Sequence, residues 1–148
     1  MPSLKETMLA NLREMVKLQR AAHDSMFKFS IKKMWPISLI APQVDWIRID
    51  RMMVQLQTTC KEQKEFLARE RGNAPEADLP FLNLLPEYFD SLSKVAHLLA
   101  QAATYRQNAI EKKIKMSIGQ WNVILKTYNE ASDNMAKTGI NLYRMYES

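Results

Sequence analysis

The sequence predicts an all-α protein: an elongated bundle of three to four helices with coiled-coil-like packing and a very long C-terminal helical segment. Three observations predict it. The six prolines fall at the N-terminus and in two short stretches, leaving 3–35, 43–71 and 87–148 free of them. Proline removes a backbone donor and clashes with the preceding turn, so its exclusion marks helical runs. Those same runs carry apolar residues in alternating steps of three and four. Only three glycines occur in 148 residues, and Gly72 joins Pro75, Pro80 and Pro86 in marking the second connection. One domain is expected over 1–148, with helices near 3–35, 43–71 and 87–147 and a break in the last between 106 and 119.

The first helix should start at Ser3, whose hydroxyl can cap the orphan N–H groups while Glu6, three residues on, completes a capping box. Met8, Leu12, Met15, Ala22, Met26 and Phe29 form its apolar stripe, and Leu9, Val16 and Leu18 widen that stripe beyond one seam. Trp35-Pro36 should end it. The bridge over 36–42 is apolar, so it should tuck against the bundle or a partner. In the second helix Trp46, Ile49, Met53, Leu56, Cys60, Gln63 and Leu67 form the cleanest heptad run, with Gln63 as a polar register-setter. Arg69, Arg71 and Gly72 provide its stop.

Residues 73–86 read as a connector, acidic first and then apolar, with Phe81 to Leu85 docking as a short turn. Pro86 is expected in the first turn of the next helix, where proline is tolerated. From there Phe89, Leu92, Ala96, Leu99, Ala103 and Ile110 hold one stripe. Ile114, Ile118, Trp121, Leu125, Tyr128, Ser132, Met135, Gly139, Leu142 and Tyr146 hold another. Steps of four and four between Ile110 and Ile118 interrupt the rhythm. A straight helix over this span would reach about 90 Å, far beyond ordinary globular lengths, so two helices or a kinked one are expected.

Composition excludes several classes. A 47% apolar and 25% charged chain is globular in character, with ten methionines suited to filling irregular gaps. Cys60 stands alone, so no internal disulfide is expected, and at a heptad core position it reads as a small buried apolar residue. His23 and His97 follow Arg20 and Lys94 at three residues, not glutamates, which argues against a helical di-metal site. Glu62, Glu65 and Glu70 interleave with Lys61, Lys64 and Arg69 as a solvated face. No glycine-rich phosphate loop or nucleophile elbow occurs. Neither an enzyme, nor a cofactor or metal, nor a small-molecule substrate is expected. Without an apolar leader or an ~18-residue apolar run, the expected location is cytoplasmic or within a larger particle.

The net charge of +5 is blocked: +4 over 1–42, −4 over 73–90, +4 over 91–115 and zero over 116–148. Such blocks suit head-to-tail contacts between copies. Lys28, Lys32 and Lys33 stand among Phe27, Phe29, Ile31, Met34 and Trp35, and Lys112, Lys113 and Lys115 coincide with the stutter. These basic groups either sit as solvated helix ends or bind an anionic membrane surface or nucleic acid. Near the C-terminus, small residues flanked by aromatics form either a contact surface between protomers or part of the internal core: Trp121, Leu125, Tyr128, Ala131, Ser132, Met135, Gly139, Leu142 and Tyr146. The expected function is a non-enzymatic structural subunit of a homo- or hetero-oligomer. By analogy of architecture it would be a virion or secretion-apparatus component, or a scaffold or adaptor. The alternative is a binding module for anionic surfaces using the two basic groups.

Overall fold

A computed structural model of the chain describes residues 2–27, 45–112 and 117–147. Four helices are present among them: α1 (Leu4–Phe27), α2 (Trp46–Glu70), α3 (Leu79–Glu111) and α4 (Ile118–Glu147). No strand occurs among the described residues. The chain is an all-α helical bundle.

The capping box at the start of α1 forms as its residues require. The Ser3 Oγ accepts from the Glu6 N–H and the Glu6 carboxylate accepts from the Ser3 N–H, both at 3.2 Å. Met8, Leu12, Met15, Ala22 and Met26 are buried along one face. The expected end of this helix at Trp35-Pro36 and the apolar bridge at 36–42 lie outside the described residues. In α2 Asp45 caps the first turn by accepting from the Arg48 N–H at 3.0 Å. Every apolar heptad position of α2, from Trp46 through Cys60 to Leu67, is buried. The half-buried Gln63 accepts from the Asn11 amide at 3.1 Å and so ties α2 to α1.

The start of α3 corrects the expected boundary at residue 87. After 3-10 turns at Arg71–Asn73 and Glu76–Asp78, the helix begins at Leu79 with Pro80 in its first turn, and Pro86 lies inside it. Phe81 to Leu85 are therefore helix, not a docked turn. Pro86 cannot donate to the Leu82 carbonyl. That loss is outweighed because Phe81, Leu82, Leu85, Phe89 and Leu92 fall on one face and are all at most 1% exposed. Burial of five large apolar side chains, at about 1.5–3 kcal/mol each, exceeds the ~3 kcal/mol proline penalty.

The break after α3 falls within the expected range. Lys112 caps α3 through an N–H bond to the Asn108 carbonyl, and Ser117 Oγ accepts from the Gln120 N–H at the start of α4. The anticipated very long C-terminal segment is thus two helices, the last of 30 residues.

Cross-helix contacts set the topology. Lys64–Asp90 and Asp50–Thr104 run in opposite senses along α2 and α3, as do Phe81–Tyr146 and Tyr105–Trp121 along α3 and α4. Lys5–Tyr146 and Gln19–Tyr128 do the same for α1 and α4. The bundle runs up-down-up-down, so α1 ends, α2 starts, α3 ends and α4 starts at one pole. The third helix, α3, is central. It buries thirteen residues and leaves to solvent a narrow polar line, Asn83, Glu87, Asp90, Lys94, His97, Gln101, Thr104 and Asn108. Ala96, Ala100, Ala102 and Ala103 among its buried residues let its neighbours approach closely.

Candidate functional site

The stripe expected as a surface between protomers turns inward. Tyr128, Ala131 and Leu142 are buried, and Trp121, Leu125, Ser132, Met135, Gly139 and Tyr146 are intermediate. Their neighbours belong to the same chain. Trp121 stacks with Tyr105, Tyr146 packs edge-on against Phe81, and a Cβ at Gly139 would stand 3.0 Å from the Tyr88 ring. An amphipathic stripe reports that a helix has an apolar neighbour, not which molecule provides it. Here the core of the chain itself provides it. Of the basic groups, Lys112 is the cap of α3. Lys28, Lys32, Lys33, Lys113 and Lys115 lie outside the described residues.

The most structured polar grouping lies in the seam between α1 and α4. Tyr128 projects from α4 to α1, where Gln19 and His23 are one turn apart and so share a face. The Gln19 Nε2 donates to the Tyr128 hydroxyl at 3.1 Å, and the His23 Nδ1 lies 2.7 Å from the same oxygen. With neutral imidazole, the phenol donates to Nδ1 while its oxygen accepts from Gln19. Tyr128 stacks with both His23 and Phe27, whose own rings are tilted to each other, and the ring centroids lie 4.8–5.6 Å apart. Burial holds the His23 pKa below its ordinary value, with Asp24 opposing and Arg20 reinforcing that shift. Burial raises the Tyr128 pKa, against hydrogen bonds from Ser132 and Gln19. Both groups are therefore driven towards neutrality, and the arrangement works as an uncharged polar lock between α1 and α4.

Two compartments open along the same seam. Around the lock, Gln19, Arg20, His23, Asp24, Tyr128 and Ser132 border a space of about 290 Å³. Further along, towards the start of α1, Leu9, Leu12, Val16, Tyr88, Leu142 and Tyr143 line an open groove of about 360 Å³. The lock was invisible in the sequence because 105 residues separate His23 from Tyr128. The available signal was two polar residues, Gln19 and His23, at i and i+4 beside an apolar stripe.

Cys60 is 1% exposed and its thiol is pushed up to about 12, first by burial and then by Asp90. It is a core residue, as its heptad position implies. Among the described residues, no three His, Cys, Asp or Glu side chains converge as a metal site. No helix among them is long and apolar enough to cross a membrane. No family model matches the chain, and neither a curated protein nor a solved structure is similar to it.

Proposed function

We propose that the chain is a non-enzymatic assembly subunit that packs through helical surfaces into a homo- or hetero-oligomer. What supports this is the outer surface of α4. Only four of its thirty residues are buried. It nevertheless carries Ile118, Val123, Ile140, Tyr143 and Met145, five of the nine large apolar residues exposed among those described. A scattered exposed apolar residue is ordinary, but five on one helix give α4 more apolar surface open to a partner than any other described element has. The contact face is therefore the outside of α4, in place of its inward stripe. Light scattering after size exclusion tests this, with wild type expected above monomer mass and a Val123→Glu/Ile140→Glu variant reduced to monomer. If wild type runs as a clean monomer at high micromolar concentration, and retains the same partners from extracts of its source cells as the variant does, the reading fails.

A second reading is favoured by the topology. Phe27 and Lys112 end α1 and α3 at the same pole of the bundle, and in the sequence Lys28, Lys32 and Lys33 follow the first of these residues and Lys113 and Lys115 the second. Two clusters of basic residues in the sequence suit an anionic membrane surface or nucleic acid. Co-sedimentation with phosphatidylserine vesicles, and retention on DNA, should then fall steeply with added salt. No retention at low ionic strength would remove it.

A further inference from the structure

We infer that the apolar compartment between α1 and α4 binds the hydrocarbon tail of a single-chain anionic amphiphile, with Arg13 and Lys17 receiving its head group. The compartment's volume, about 360 Å³, lies in the range of small-molecule sites, which favour seams between the helices of a bundle. Its walls are Leu9, Leu12 and Val16 of α1 and Leu142 and Tyr143 of α4, with Tyr88 of α3 among its lining residues. Gly139 is part of the same wall. Its missing side chain matters, since a Cβ there would already crowd the Tyr88 ring at 3.0 Å.

The charge of the site selects the ligand. The only charged residues lining it are Arg13 and Lys17, one turn apart and both on the exposed side of α1. Glu14 pairs with Lys17 at 3.0 Å, and Glu147 bonds Tyr143, but neither carboxylate lines the compartment. An apolar space with cations at one edge fits a tail bearing a carboxylate, sulfate or phosphate end. A second copy related by a two-fold axis through the seam would set Arg13 and Lys17 against their own images. The inference does not rest on the assembly reading, since a monomer carries the whole site.

Calorimetric titration of the full chain with laurate, kept below its micelle-forming concentration, tests it. Dodecyltrimethylammonium supplies the same tail with a cationic head. Laurate should saturate at one per chain, and dodecyltrimethylammonium should bind at least about tenfold more weakly. Arg13→Gln/Lys17→Gln should weaken laurate by about tenfold and bind the cationic probe no more weakly than wild type does. Both side chains are exposed, so the variant should keep the helical circular dichroism of wild type. A Val16→Gln variant, altering the wall and not the edge, should weaken both probes. Three results would overturn the inference: no saturable laurate binding, equal binding of the two probes by wild type, or laurate affinity unchanged in the Gln double variant. A change of oligomeric state in that variant without laurate would instead identify a second copy as the occupant, and would also overturn it.

Discussion

Tyr128 shows how much can depend on one hydroxyl. It is 2% exposed, and Gln19, which donates to it, is 6% exposed. Removing the oxygen in Tyr128→Phe leaves the Gln19 amide buried without its acceptor, and takes the partner from His23 Nδ1. The expected cost is about 1–3 kcal/mol, measured by urea unfolding, while Tyr143→Phe at an exposed position should change little. The lock also makes stability depend on pH. His23 titrates near 6.5 when unfolded and lower when folded, so between those values the unfolded chain holds more protons. Stability from this group is complete above 6.5 and is lost as pH falls towards the folded value. Urea midpoints from pH 7.5 down to 5 should fall for wild type, and fall less for His23→Gln. Equal slopes would show that His23 is not held neutral by the fold.

Among the helices, the legibility of each element followed from how local its determinants are. The capping box of Ser3 and Glu6, the heptad of α2 and the break before Ser117 were readable because three to seven adjacent residues decide them. The beginning of α3 was not, because Pro86 locally signals a first turn, and only the buried face of Phe81, Leu82 and Leu85 overrides it. The inward turn of α4 was unreadable for a related reason: the stripe through Tyr128, Met135 and Gly139 fits a partner chain as well as α1 and α3. Gly139 now separates these two roles. Its backbone packs on Tyr88, so Gly139→Leu should overpack the fold and cost about 1–3 kcal/mol. Gly139→Ala should stay within about 1 kcal/mol of wild type, because roughly 0.5–1 kcal/mol of helix propensity offsets its tight contact. Thermal unfolding of both variants checks this. If the leucine variant changes the mass of an oligomer but not the unfolding free energy of the protomer, the stripe faces a partner after all.

Across the whole molecule, both poles are clamped by a cation held among aromatics, and the α1–α4 seam runs between the clamps. At one pole Lys5 donates to the Tyr146 carbonyl at 2.8 Å and lies 4.6 Å from the Tyr146 ring and 5.9 Å from Phe81, joining α1, α3 and α4. At the other, the Arg106 guanidinium lies 5.3 Å from the Trp46 ring and 5.0 Å from Trp121, joining α2, α3 and α4. Tyr105 stacks on Trp121 and its hydroxyl donates to Gln120, extending that clamp along α4. Burial lowers the Arg106 pKa, but a guanidinium starts so high that it remains charged at neutral pH. Each cation–π contact contributes about 0.5–2 kcal/mol, depending on how dry it is. Arg106→Ala should therefore cost about 1–3 kcal/mol and let water reach Trp46 and Trp121, shifting tryptophan emission to longer wavelength. Arg106→Lys should recover only part of that loss, since an ammonium cannot stack its plane between two indoles. Among the described residues the clamp joins α2, α3 and α4 while the Tyr128 lock joins α1 and α4, so the effects of the Arg106 variants should add to that of Tyr128→Phe within about 0.5 kcal/mol. Clear non-additivity in the double variant would mean that the Arg106 pole and the α1–α4 seam open together.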